Sequence, residues 1–511
     1  MSKPDQHEVV LASPGEIRTV VIGLMLALTL AALDQNIVGV ALPRIVSDLG
    51  GLAHLSWVVT SFMVTSTATT PLYGKLSDLY GRKPLFITSI LIFLIGSSLC
   101  GLSRSMAELV VFRGIQGIGA GGLITLAMTT IADLVAPRER GRYQGLFGAA
   151  FAFSSIAGPL LGGFITSALS WRWIFYVNLP IGLVALFFFI FGFHRPHRRV
   201  SHRIDYLGVV LLTSGTVALL LVLSMGGVQY SWSSPLIIGL AALAGLLCCL
   251  LVATERRSAE PVFPSHLFQS RVFIIASGTM ATTFMGLFGA AVFLPLFFQL
   301  VLGYAPAEAG LLMAPMTAGV VVSSFLGGRL VSLTGKYKIF PVVGLAAASL
   351  AFLTVMAASA LHAGIVVIET SLIVLGIGFG LVMPNLMVAI QNSVRSRELG
   401  AATAASTFFR SLGGTFGVAL SGAIITAQLK GLHLASTPSA SARSLLEQGL
   451  REISQLPEVQ RNVVIETYRH AITITFLVGA IITGLAFTLV LFLPEHPLRS
   501  GRHSEKTRED G

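Results

Sequence analysis

The sequence predicts an all-α integral membrane protein. Two pseudo-symmetric six-helix bundles and two inserted helices would give fourteen transmembrane helices. Three observations carry this expectation. Of 511 residues, 54% are hydrophobic and 11% are charged, against about 25% charged in ordinary soluble chains. Apolar runs long enough to span a bilayer, about 20 residues, recur along the whole length. A glycine pattern in the first half returns in the second.

The composition excludes a cytosolic enzyme, a disordered scaffold and a secreted disulfide module. Cys100, Cys248 and Cys249 sit inside apolar runs, and two are adjacent, so no disulfide framework is implied. The net charge of +11 falls in short clusters between apolar runs, so it points to membrane topology and not to nucleic acid. Residues 1–16 are polar, and the run from Ile17 is too long for a signal-peptide core.

The candidate spans are 17–40, 55–73, 85–103, 107–131, 143–168, 173–193, 205–225, 235–253, 272–301, 308–333, 339–360, 363–390, 400–428 and 469–493. Helix is the only state that satisfies the backbone in lipid without a closed barrel. Loops after even-numbered spans carry 18 Lys and Arg residues, whereas the short loops opposite carry only Arg44, Arg104 and Arg172. The positive-inside rule then places the basic loops and both termini in the cytoplasm. Within 194–203, three histidines alternate with four arginines; a basic loop explains them better than a metal site, because no ligand set is completed.

Shifted by 259 residues, Gly117, Gly119, Gly121, Gly141, Gly158 and Gly163 fall on Gly376, Gly378, Gly380, Gly400, Gly417 and Gly422. A shift of 254 aligns Gly74-Lys75-Leu76 with Gly328-Arg329-Leu330. Spans 1–6 and 9–14 are therefore two copies of one unit, with spans 7 and 8 between them. The expected organisation is a cytoplasmic tail (1–16), a first bundle (17–193), a linker with two helices (194–271), a second bundle (272–493) that includes a long outer loop (429–468), and a cytoplasmic tail (494–511). Leu445, Leu446, Leu450, Ile453 and Leu456 recur at helical spacing in that loop, as in an amphipathic surface helix.

Four local patterns stand in order. Span 1 carries Leu33-Asp34-Gln35-Asn36 and ends Val40-Ala41-Leu42-Pro43. After span 2 comes Gly74-Lys75-Leu76-Ser77-Asp78-Leu79-Tyr80-Gly81-Arg82-Lys83, a tight turn with an ionic latch between Asp78 and Arg82. Span 4 carries Arg113-Gly114-Ile115-Gln116-Gly117, and span 5 carries Gly158-Pro159-Leu160-Leu161-Gly162-Gly163. With Trp171-Arg172-Trp173 through Asn178-Leu179-Pro180 before span 6, this set resembles the fourteen-helix drug:proton antiporter branch of the major facilitator superfamily, over about residues 15–495. In that family the span 5 pattern, here Gly158, Pro159, Gly162 and Gly163, marks exporters. It usually has a glycine where this chain has Ser154. The span 1 pattern also departs from the family's, at Asn36 and Gly39.

Ionisable residues inside spans default to functional hypotheses. Asp34 and Arg113 lie at depths differing by about 5 Å at the helical rise, so they are expected to couple proton and substrate, with Gln116 one turn from Arg113. Arg410, in span 13, and Glu369, in span 12, are further candidates for the second half's cavity and for a second acid. The alternative is static pairing or backbone bonding. Gly74, Asp78, Gly81 and Arg82 form the expected gate, joined by Asp133 through Arg82 or Arg138. In the second half Ser332 stands where Asp78 stands in the first. Phenylalanines of spans 5 and 9, among them Phe147, Phe153, Phe284 and Phe288, are candidates for a greasy pocket, although packing or lipid contact is the commoner role.

The function expected is efflux antiport of a lipophilic compound against protons, in a bacterial cytoplasmic membrane. Export of a physiological solute, such as a fatty acid, amino acid or siderophore, is the alternative. An intramembrane enzyme would need a nucleophile–base set, and only His362 and His470 reach the span ends. No Gly-xxxx-Gly-Lys-Ser/Thr run exists for a nucleotide, and no cofactor or metal is expected. The expected partners are the substrate, protons and the bilayer, with a periplasmic adaptor as a further candidate and a monomer as the expected state.

Overall fold

The structure is a computed structural model, described for residues 14–49, 55–193, 205–227, 230–258, 261–395, 398–429 and 457–498. The first half comprises α1 (Pro14–Leu49), α2 (Leu55–Tyr80), α3 (Arg82–Leu102), α4 (Met106–Leu134), α5 (Pro137–Ala168), the one-turn α6 (Trp173–Tyr176) and α7 (Asn178–Gly192). The hairpin α8 (Tyr206–Met225) and α9 (Pro235–Glu255) follows. The second half comprises α10 (Arg271–Ala291), the short α11 (Leu294–Leu296) running into a π-helical turn (Phe297–Val301), α12 (Pro306–Thr334), α13 (Ile339–Ala360), α14 (Ile365–Ser393), α15 (Leu399–Leu429) and α16 (Glu458–Leu491).

Helix ends follow local chemistry. Ser105, Ser234 and Ser270 accept the backbone N–H of Glu108, Ile237 and Phe273, and so cap α4, α9 and α10. Asp205 does the same for α8 from Gly208 N at 2.8 Å. Gly81 separates α2 from α3 at φ 92°, and Gly335 ends α12 at φ 72°, conformations that side chains resist.

Thirteen helices among the described residues are long and apolar enough to cross a membrane. α2 is 26 residues long and falls outside that set because serines and threonines dilute its apolar face. It nevertheless packs inside the bundle against α4, α8 and α15, which makes it the remaining helix of the fourteen expected. The duplication is visible in packing. In the first half α2 and α3 flank α4, and α1 lies on α5 and α7. In the second half α12 and α13 flank α14, and α10 lies on α15 and α16. The inserted hairpin docks through α8 on α2 and α15.

Several boundaries differ from the sequence reading. α1 continues nine residues past 40, to Leu49. α16 starts at Glu458 and not at 469, so the long loop ends earlier: the polar residues Glu458–Tyr468 are already helical. Span 9 is not one straight helix. It breaks after Ala291 and resumes as α11 and the π turn; Pro295 in this stretch has no N–H to give. Span 6 breaks at Val177, between α6 and α7. The expected amphipathic helix of 443–456, the 194–203 loop and most of the terminal tails (1–13 and 499–511) lie outside the described residues.

The halves meet at the end where the basic loops emerge, hereafter the basic end. α5 packs on α12 and α2 on α15. A Cβ on Gly74 would stand 2.6 Å from the Gly400 carbonyl oxygen, and one on Gly141 2.6 Å from the Gly328 carbonyl oxygen. Only glycine permits backbones this close. Four of the repeated glycines, Gly74, Gly141, Gly328 and Gly400, are thus crossing points of the two halves, whereas Gly117, Gly158, Gly376 and Gly417 pack within their own half.

Candidate functional site

Two polar clusters occupy the first half. The inner one centres on Asp34, in the middle of α1 and 1% exposed. Arg113 Nη1 pairs with Asp34 Oδ2 at 2.6 Å. Gln116 Nε2 and Asn178 Nδ2 donate to Asp34 Oδ1 at 2.8 and 2.9 Å. Arg113 also donates to Gln116 Oε1 at 2.7 Å and through Nε to the Val58 carbonyl at 3.3 Å, and its guanidinium lies 4.2 Å from the centre of the Phe62 ring. Asn178 further donates to Ser97 Oγ at 2.9 Å. The carboxylate thus faces three donors from two other helices. Charge-assisted bonds of this kind are the strong ones. Removing one member of such a buried pair costs about 3–5 kcal/mol, because the other charge is stranded.

The structure brings Asp34, Arg113 and Gln116 together, as the sequence expects, and adds Asn178 and Ser97. Asn178 is fully buried. It opens α7 directly after the break at Val177, which turns its amide toward α1 and α3. Its signal in the sequence was a polar residue two places before Pro180, ahead of an apolar run.

The second cluster lies at the basic end. Arg82 Nη1 meets Asp78 Oδ1 and Arg82 Nε meets Asp133 Oδ2, each at 2.7 Å. Between the two candidate partners of Asp133, Arg82 is the one observed; the side chain of Arg138 lies outside the described residues. Asp78 also reaches across the molecule. Its carboxylate accepts Gly400 N at 3.0 Å and Ala401 N at 2.7 Å, capping the N-terminus of α15 in the second half. An anion there satisfies unpaired N–H groups and the positive end of the helix dipole. The sequence marked Asp78 as half of a local latch. The structure makes it a clasp between halves, with Gly74 and Gly400 supplying the close approach. Gly81, at positive φ, makes the turn that places Arg82 behind it. Arg140 adds a second tie, donating to the Gln391 carbonyl of α14 at 3.2 Å.

The Gly158–Gly163 motif lies along α1. Gly158 faces Asn36, and Gly162 stands against the Ile37 carbonyl, on the helix that carries Asp34. Pro159 lies inside α5, and Gly163 has Val40 as its neighbour. Ser154 contributes a bond of its own, donating to the Thr29 carbonyl of α1 at 3.3 Å.

The second-half candidates stay apart from these clusters and from each other. Glu369 is one turn inside α14, with both carboxylate oxygens buried and without a hydrogen-bond partner. Arg410 is 8% exposed in α15, with its guanidinium 5.1 Å from the Phe284 ring centre. Of the phenylalanines, Phe147, Phe297 and Phe298 are buried in the helix packing, and Phe153 is 62% exposed on the outside. Phe284 and Phe288 stack on each other, with ring centroids 5.5 Å apart.

Comparison with known proteins follows this geometry. The family model described as Major Facilitator Superfamily matches residues 24–418. The chain is 40% identical over 413 residues to the multidrug transporter protein MdtP of Bacillus subtilis, covering 80% of this chain and 76% of that protein. It is 35% identical over 496 residues to multidrug resistance protein 3 of the same organism, covering 94% and 96%. Among solved structures, the human organic anion transporter MFSD10 superposes with a TM-score of 0.64 at 17% identity, covering 94% of this chain and all of that one. The proton:xylose symporter XylE gives 0.62 at 16%, covering 94% and 97%. At those identities the structural likeness speaks for the fold alone. The chain is a multi-pass membrane transporter and not an enzyme, and it belongs to the major facilitator superfamily, in the branch of its multidrug-transporter relatives.

Proposed function

We propose that the protein is a proton-coupled efflux antiporter for lipophilic drugs or toxic compounds. It resides in a bacterial cytoplasmic membrane with the basic loops and both termini inside, and it works by alternating access. The observation that carries this reading is the buried Asp34–Arg113–Gln116–Asn178 cluster. It is a carboxylate with a competing cation at hand, the arrangement in which protonation changes what the cation holds. Export, in place of import, is supported by the names of the Bacillus relatives.

The two clusters share their helices. α2 carries Val58 and Phe62, which hold Arg113, and also Asp78. α4 carries Arg113 and Gln116, and also Asp133. On each helix the two sites are about 30 Å apart at the helical rise. A proton on Asp34 removes the charge that Arg113 pairs with, so α1 and α4 lose their strongest tie. α2 and α4, as rigid rods, then carry the change to the clasp at α15. With the clasp closed the molecule is sealed on the cytoplasmic side; releasing Asp78 from the α15 N-terminus opens it for loading. One chain carries both halves, so a monomer suffices.

The test is transport in inside-out vesicles under an imposed pH gradient, with a pH-sensitive dye reporting substrate-triggered proton release. The panel spans lipophilic cations, neutral drugs and anionic amphiphiles. Wild-type protein is expected to release protons on addition of at least one compound, and Asp34→Asn to lose that release while still binding the compound. Full coupled transport by Asp34→Asn would overturn the carboxylate's role.

A further inference from the structure

The first half balances its buried charge: Asp34 and Arg113 neutralise each other. The second half does not. Among the described residues Arg410 has no carboxylate partner and donates no hydrogen bond. Its contact is the face of Phe284 at 5.1 Å. A guanidinium stripped of water and left without an anion is costly.

The acids of the interior cannot supply that anion. Asp34 is committed to Arg113. Arg410 lies 11 residues from the basic-end start of α15, about 16 Å, whereas Glu369 lies 24 residues from the basic-end terminus of α14, about 36 Å. The polar groups on the neighbouring faces are hydroxyls. Thr407, one turn away on α15, and Ser277, one turn before the Ala281 that abuts Gly413, are buried and unpartnered. Toward the outside the aromatic face continues from Phe284 to Phe288, whose ring is stacked on it and 38% exposed. The arrangement is a short aromatic track ending at an uncompensated cation, with unpartnered hydroxyls on the same two helices.

We propose that Arg410, Phe284 and Phe288 form a substrate subsite of the second half that takes the anionic group of an aromatic amphiphile, a carboxylate or sulfonate. The aromatic body stacks along Phe284 and Phe288, and the anion accepts from the guanidinium, with Thr407 and Ser277 supplying further donors. This deepens the export reading by naming the substrate class. The favoured cargo is a lipophilic acid, and not a lipophilic cation.

The experiment is equilibrium binding to the purified full-length transporter, without a pH gradient. The probes are a naphthyl-alkanoate and its methyl ester, followed by tryptophan quenching. Wild-type protein is expected to bind the carboxylate at least about tenfold more tightly than the ester, the scale of a charge-assisted bond made out of water. Arg410→Gln is expected to abolish that preference while binding the ester as before. Arg410→Lys is expected to keep part of it, and Phe284→Leu to weaken both probes together. A wild-type protein that binds the ester as well as the acid, or an Arg410→Gln protein that still prefers the acid, overturns the proposal and leaves Arg410 as a packing residue. Because no proton movement is read, failure here is separate from failure of coupling through Asp34. A thermal melt of each variant checks that it is folded.

Discussion

The two halves share a scaffold and differ in chemistry. At the scaffold level they agree closely. Lys83 donates to the Ile190 and Phe193 carbonyls at the end of α7, and Lys338 donates to the Leu491 carbonyl at the end of α16. In both cases a lysine at the start of a half's third helix closes the C-terminus of its last. At the level of charge they part. The first half holds the Asp34 cluster and the Asp78–Arg82–Asp133 latch. Where these sit, the second half has Leu372 and Leu375 at the repeat positions of Arg113 and Gln116, and Ser332 at that of Asp78. Duplicated packing survives because glycine contacts and helix ends are needed twice. The buried ion pair and the charged clasp occur once.

The strongest way to break this comparison is at the clasp. Asp78→Ala removes the cap on α15 and leaves Arg82 with Asp133 as its remaining carboxylate, beside the Ser77 hydroxyl. It is expected to lower the initial efflux rate at least about tenfold, since losing one member of a buried charge network costs about 3–5 kcal/mol. Ser332→Ala, whose hydroxyl bonds its own helix at Gly328 O at 3.2 Å, is expected to change the rate less than about twofold, as surface-scale effects do. Equal losses, at matched expression, would contradict an asymmetric gate.

A smaller effect is expected at Asn178→Ala. This removes one of the three donors to Asp34 without touching its ion pair. Substrate-triggered proton release is expected to fall roughly three- to tenfold, the worth of one bond to a charged group. An unchanged release would make the Asn178 contact structural only. The smallest effect concerns the shared scaffold. Lys83→Met and Lys338→Met are each expected to cost about 1 kcal/mol and to lower the thermal midpoint by similar amounts, read from tryptophan fluorescence. A clear inequality between them would show that the halves differ in their framework as well as in their sites.

Much of this was legible in the residue order. Long apolar runs gave all fourteen spans, and the spaced glycines gave the repeat, because both depend on composition at fixed intervals. Asp34 and Arg113 stood out because charge inside an apolar run is rare. α2 is rich in serine and threonine, yet these turn toward their own backbone, as Thr65 does to Ser61 O. The clasp was only half visible. Asp78 could be paired with Arg82 four residues on, but its partners in α15 are backbone N–H groups 322 and 323 residues away, which carry no side-chain signature. Asn178 was hidden for a related reason: a neutral amide enters the site only because the chain breaks at Val177, and the break itself is a matter of tertiary packing. The polar start of α16 was read as loop because hydropathy measures lipid contact, and a helix can outrun the lipid.

The crossing glycines have one more consequence. Gly74 corresponds to Gly328 in the repeat, and Gly400 to Gly141. Gly74 meets Gly400, and Gly328 meets Gly141. Each contact is therefore the image of the other, as in the isologous interface of a twofold homodimer. A single six-helix half carries both sides of this seal and could close against a second copy of itself. Within one chain the two copies differ in charge, while the shared surface keeps its twofold pattern.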